Sequence, residues 1–234
     1  TPGALIMSIV SEWNIDQKKM NELIKKESTF EAGKKILTAL HTSVHFSIHG
    51  GLTIMDDLWA GLEKSAFSIM PTEKDVTIAW NIWHITRIED LTTNLLISGR
   101  EQILNDQWLK KIRTSVTDTG NAMTDDEIIS FSREIDPCEL RNYRVAVGER
   151  TKSILSGLNF KDMGKKFDKK ALAEILRVGG VTEHPDSIWL LDFWGNKSIS
   201  GIIKMPLTRH QIVHINDSFR LKDTIFKRKI FYLS

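Results

Sequence analysis

The sequence predicts an all-α protein, a bundle of four long helices joined by crossover links, and three observations predict it. Pro and Gly number only 5 and 14 in 234 residues, too few for a chain of short strands and tight turns. Apolar residues recur at steps of three and four over long stretches, which is the helix period. Two of the long segments open on Ser/Thr-x-x-Glu/Gln, a pattern whose side chains satisfy the first free N–H groups of a helix.

Residues 1–27 are read as an N-terminal arm with a cloning remnant at its start, and 28–234 as a single helical domain. The first helix is predicted over 28–49. It opens on Ser28-Thr29-Phe30-Glu31, a capping box, carries the stripe Leu37, Leu40, Val44 and Ile48, and stops at Gly50-Gly51, where glycine accommodates the left-handed conformation. The second runs from about Pro71 to Gly99 with the stripe Trp80, His84, Ile88, Leu91 and Leu95, placing His84 in line with large buried side chains. The third covers 124–158 with a break near Pro137. The fourth is predicted to open at Thr208, where Thr208-Arg209-His210-Gln211 reads as a T-x-x-Q capping box just after Pro206, and to run to about Leu221. The links 51–70 and 160–207 are partly helical in pattern, with LWAGLEKSAF and KKALAEILRV reading as short amphipathic helices. IWLLDFWGNKS, 188–198, is read as core filling, with a lid over the bundle end as the other reading. Four helices with connections of this length imply crossover links rather than tight hairpins.

Lys and Arg total 32 against 30 acidic residues, a formal charge of +2, which gives no electrostatic reason to expect a nucleic-acid or anionic-membrane partner. Cys138 is the single cysteine. A disulfide framework is therefore excluded, and a reducing, cytoplasmic setting is expected. No run of 18 apolar residues and no charged-then-apolar leader pattern is present.

Seven histidines in 234 residues would by chance give only about 0.2 pairs at the helical i,i+4 spacing, where both rings reach one point. The chain has three such pairs: His41/His45, His45/His49 and His210/His214. Three pairs cannot all belong to one ordinary site, so at least one is expected to have another explanation. A pair supplies two nitrogens to a divalent ion, and a third ligand leaves the fourth position open, as in catalytic zinc sites. His84 is the best third ligand, because it lies on a core-facing stripe with no carboxylate at i±4. Placing His210 and His214 at the start of the fourth helix predicts that the helix dipole keeps both rings neutral and favours an anionic ligand beside them. His41/His45 could face the same cavity, and His49 is read as a favourable charge in the last turn of the first helix.

WNIWHITRIED at 80–90, followed by MPLTRHQIVHINDSFRLK at 205–222, resembles the DinB superfamily of DinB/YfiT-like metalloenzymes. The resemblance covers nearly the whole chain in helix order and departs from the family in the long insertion before the fourth helix and in the histidines at 41, 45 and 49. It implies a four-helix bundle of up-up-down-down connectivity and a metal triad of His84, His210 and His214. It also implies a divalent metal, zinc or nickel, and an activity among transferases or isomerases that use low-molecular-weight thiols such as bacillithiol, mycothiol or glutathione. A small-molecule substrate is then expected, and a homodimer is a further candidate partner. Arg87, Arg209 and Arg220 are candidates for holding the charged ends of a thiol. His45, Glu89 and Asp217 are candidate pocket residues or supports of the metal-binding rings, with Glu89, Asp90 and Asp217 read equally as solvated acids. Metal-dependent hydrolysis and a non-catalytic binding or dimerisation module are the alternatives.

Overall fold

Residues 2–23 form a helix rather than an arm. The structure, a computed structural model, describes residues 2–228 and the side chains of residues 11–228. α1 (Pro2–Leu23) packs along α2 (Phe30–Ser43). Trp13, Met20 and Ile24 enter the core, and the Trp13 indole donates to Ser43 Oγ at 3.0 Å. Trp13, Gln17, Met20 and Ile24 follow one another at steps of four, three and four, a buried stripe at helical spacing.

α2 begins after a tight turn at Glu27–Thr29, and the expected capping box is not made: Thr29 Oγ1 donates to the Leu23 carbonyl instead. The helix also stops early, at Ser43. Val44 and His45 turn off it through bonds to the His41 and Thr42 carbonyls, so Gly50-Gly51 lies in a loop and Ile48 is exposed. His49 consequently sits on that loop and not in a final helical turn. The first link is helical, but LWAGLEKSAF is not one helix: α3 (Ile54–Trp59), opened by a Thr53/Asp56 capping box, and α4 (Lys64–Phe67) are separated by a turn in which Gly61 takes φ 70°.

α5 (Ile78–Asp90) starts at Thr77, later than expected, where Thr77 Oγ1 accepts from the Trp80 N–H. All of its residues are buried, so every polar group on it needs a partner inside the protein. It continues as a wider π-helical segment, Leu91–Ser98, ended by Gly99 at φ 62° as the sequence predicts. α6 (Asp106–Ile112) is followed by α7 (Asp125–Glu134) and α8 (Pro137–Gly157). The break near Pro137 is present. Asp136 caps the new helix through the Cys138 and Glu139 N–H groups, and proline fits its first turn, where no N–H partner is needed.

The second link contains α9 (Lys169–Arg177), α10 (Pro185–Gly195) and α11 (Ile199–Lys204). α10 packs on α9 and buries Leu190 and Trp194, the core-filling role, while Trp189 stays 46% exposed. α11 runs through a π-helical turn, Met205–Arg209, directly into α12 (His210–Arg228). The last helical run therefore starts at Ile199, and Thr208 does not cap anything. Its hydroxyl bonds back to the Ile203 and Lys204 carbonyls, and Gln17 of α1 donates to the Lys204 carbonyl and Thr208 Oγ1. These side chains satisfy carbonyls that the wide turn around Pro206 leaves without ordinary helical partners.

α5 packs against α7, α8 and α12, and α2 packs against α1 and α8. The architecture is all-α: among the described residues the only strand-like pairing is an isolated bridge between Lys166 and Ser198. No described helix is long and apolar enough to cross a membrane.

Candidate metal centre

α5 and α12 bring His84, His210 and His214 together, with one ligand atom of each within 4.8 Å of the others. His84 Nε2 lies 3.2 Å from His210 Nε2. For two nitrogens each about 2.0–2.1 Å from one ion, that separation corresponds to an angle of about 100°, near tetrahedral. His214 completes the group, its ring centroid 4.8 Å from that of His84 and 4.5 Å from that of His210.

The W-x-x-W-H stretch of α5 is docked as a unit on a single loop. The Trp83 indole donates to the Asp118 carbonyl at 2.9 Å, His84 Nδ1 to the Thr119 carbonyl at 2.7 Å, and the Trp80 indole to the Gly120 carbonyl at 3.1 Å. A carbonyl only accepts, so Nδ1 of His84 carries the proton and Nε2 is left with a lone pair facing the other two histidines. Trp80 stacks on the His84 ring at 4.5 Å and 10° between planes, which holds the ring flat. Gly120 has φ 78°, and a Cβ there would come 2.6 Å from the Trp80 indole nitrogen. Glycine is thus required both by the turn and by the approach of the indole.

His214 is oriented through two residues. Asp217 Oδ2 accepts from Asn81 Nδ2 at 3.0 Å, which turns Asn81 Oδ1 toward His214 Nδ1 at 2.8 Å. The amide oxygen can only accept, so His214 also carries its proton on Nδ1 and offers Nε2 to the centre. His210 differs: its Nδ1 is buried without a hydrogen-bond partner. Its ring packs against those of His84 and His214, at centroid distances of 5.0 and 4.5 Å.

Burial pushes the basicity of all three rings down. His84 is lowered to about 3 by burial and the neighbouring His214, and His210 falls well below its ordinary value through burial, His84 and His214. His214 is lowered to about 4, again by burial, with Asp217 pulling the other way. The rings are therefore neutral at physiological pH, as ligation requires. The cause is not the expected one. His210 and His214 lie more than a turn inside a continuous helical run that begins at Ile199, beyond the reach of a helix N-terminal field.

The remaining candidates separate into distinct groups. Asp217 supports the triad through Asn81 and also pairs with Arg220, which bridges to Asp75. His45 and Glu89 stand in a second cluster with His41, where Glu89 Oε1 and Oε2 contact His41 Nε2 and His45 Nε2 at 2.8 and 3.0 Å. Arg87 is fully buried and donates to Asp90, the Thr117 carbonyl and Gln102. It cannot reach a solvent-borne thiol, and Asp90 is not a solvated acid: it also accepts from Tyr143, Asn94 and the Ile103 and Leu104 N–H groups. Arg209 is exposed and donates to Asn14. Cys138 is exposed and free.

Sequence reasoning did not single out Asn81 or the 118–120 loop. Asn81 had a legible signal, since it precedes His84 by three positions and so shares a helix face with it; the loop carbonyls, being backbone groups, had none.

The donor set fits a divalent ion: three neutral imidazoles, two with their outer nitrogens anchored by acceptors, and one ligand atom of each within 4.8 Å of the others. Searched against protein-family models and against curated proteins, the chain matches none at a significant level.

Proposed function

We propose that this chain is a metal-dependent enzyme of the DinB type, built as a four-helix bundle of up-up-down-down connectivity, with His84, His210 and His214 as its metal ligands. The observation that carries the reading is the fixed tautomer of His84 and His214, whose anchored Nδ1 protons leave Nε2 lone pairs converging with His210. Three imidazole donors, two of whose nitrogens lie 3.2 Å apart, favour zinc, with nickel next. A divalent ion held there with an open position lowers the pKa of a bound thiol or water and so supplies a nucleophile at neutral pH.

The partnering of the nearby acids supports thiol transfer over hydrolysis. Hydrolysis needs a general base within reach of the attacking water. Asp217 is engaged by Asn81 and Arg220, Glu89 by His41 and His45, and Asp90 by Arg87 and Tyr143. A thiol cosubstrate arrives with its own nucleophile and makes no such demand. Arg209, exposed and bonded to Asn14, would meet the charged end of such a thiol by giving up that bond. The same reading takes the enzyme as cytoplasmic and homodimeric, acting on a small molecule with neither nucleic acid nor membrane as partner.

Cobalt-substituted protein, prepared without a histidine tag, is to be titrated with bacillithiol, mycothiol, glutathione and coenzyme A while a sulfur-to-metal charge-transfer band is followed. A band with one of these thiols, lost in His84→Ala, is the expected result. No band with any thiol, together with ester or amide turnover that disappears in His84→Ala, would replace the transferase by a hydrolase. Silence in both assays would leave a binding module.

A further inference from the structure

The second histidine cluster lies outside the triad and is unused by the proposed reaction. Glu89 is fully buried on α5, and a carboxylate in that position must be paired or must hold a metal. Among the described residues, its hydrogen-bond contacts are the two imidazoles, His41 from α2 and His45 from the turn that follows it. Arg144, also fully buried, acts on Glu89 only through space. Its guanidinium nitrogens donate to Thr86 Oγ1, the Val44 carbonyl and Gln211 Oε1. Among the described residues, no lysine or arginine is bonded to the carboxylate.

We propose that His41, His45 and Glu89 form a second divalent-metal site, of the two-histidine, one-carboxylate type. Donor separations of 2.8 and 3.0 Å place each imidazole at about 90° to its carboxylate oxygen around an ion at ordinary ligand distances. That is the angle of an octahedral face, in contrast to the wider angle at the triad, and it suits iron(II) or manganese(II) better than tetrahedral zinc. The His45 ring occupies the space that a side chain at position 148 would fill: a Cβ on Gly148 would stand 2.4 Å from His45 Nδ1, which is itself buried without a partner. A cavity of about 280 Å³, bounded by His41, His45, His49, Gly148 and Glu149, opens beside the two rings. It supplies an entry path and room for the water ligands that complete six-coordination.

Two N–H···O hydrogen bonds to Glu89 would have the same lengths, so the test counts ions. Tag-free, chelator-stripped His210→Ala, which lacks one triad ligand and leaves the second cluster intact, is dialysed against cobalt(II) and its bound metal counted. One remaining equivalent with the weak visible absorption of six-coordinate cobalt is expected, against two in the unmutated protein. Its loss on adding His45→Gln, with the helical circular dichroism retained, completes the assignment. No remaining equivalent in His210→Ala would overturn the proposal, as would one that persists when His45→Gln is added. Wild-type protein that loses only the triad's equivalent in His210→Ala tests the first site separately from the second.

Discussion

His84 donates its Nδ1 proton to the Thr119 carbonyl at 2.7 Å, and this bond decides which nitrogen of His84 faces His210. With the tautomer fixed by a backbone oxygen, the ligand lone pair needs no reorganisation before an ion binds. His84→Ala or His210→Ala should therefore remove one equivalent of bound metal, lowering affinity at the triad by at least about 100-fold. His49→Ala, on the loop after α2, should leave that equivalent in place. Metal counting on tag-free protein checks both, and an equal loss in all three variants would shift the first site away from the triad.

Asn81 relays the orientation set by Asp217 to His214. Asn81→Leu removes the acceptor, and Asp217→Asn frees the amide to present either end to the ring. Each should weaken metal binding by about 10–100-fold without abolishing it. Competition with a coloured chelator measures this. Unchanged affinity in both variants would mean that His214 is held by packing alone.

Acid should destabilise the metal-free protein well above the usual carboxylate range. Burial holds His84 at about 3, His214 at about 4 and His210 well below its ordinary value, whereas the unfolded chain titrates near 6.5. Because the folded values are depressed, the unfolded state takes up protons first as pH falls. Stability present above pH 6.5 is then lost between about 6.5 and 4, at about 1.4 kcal/mol per pH unit for each such ring. Urea midpoints at pH 7.5, 6.5, 5.5 and 4.5 give the slope. A flat profile would show that the rings are solvated.

Asp90 should matter for stability and not for the metal. It neutralises Arg87 where both side chains are completely buried and accepts from Tyr143, Asn94 and two backbone N–H groups. Asp90→Ala leaves an unpaired buried guanidinium, a loss of about 3–5 kcal/mol. Chemical denaturation reads that loss, and the metal equivalents of the protein that remains folded should equal those of the wild type. A change below about 1 kcal/mol would place Arg87 in contact with water.

The sequence by itself determined the helical class, the stripe from Trp80 to Leu95, the break at Pro137 and the two segments that carry His84, His210 and His214. Each is a local property: a period of three to four, a proline that fits only a first turn, rings at i and i+4. What only the tertiary structure decided depends on groups distant in the chain. The capping boxes at Ser28 and Thr208 fail because Thr29 bonds the Leu23 carbonyl and Thr208 bonds back into a helix already running from Ile199, whose wide turn is held by Gln17. The arm became a helix because α2 offered its apolar stripe a surface to bury against. Glu89 and Asp90, adjacent in sequence, point to opposite partners, one to two imidazoles and the other to Arg87 and Tyr143. Residue type cannot reveal that choice, since a buried carboxylate takes whatever donors the packing of other helices brings within reach.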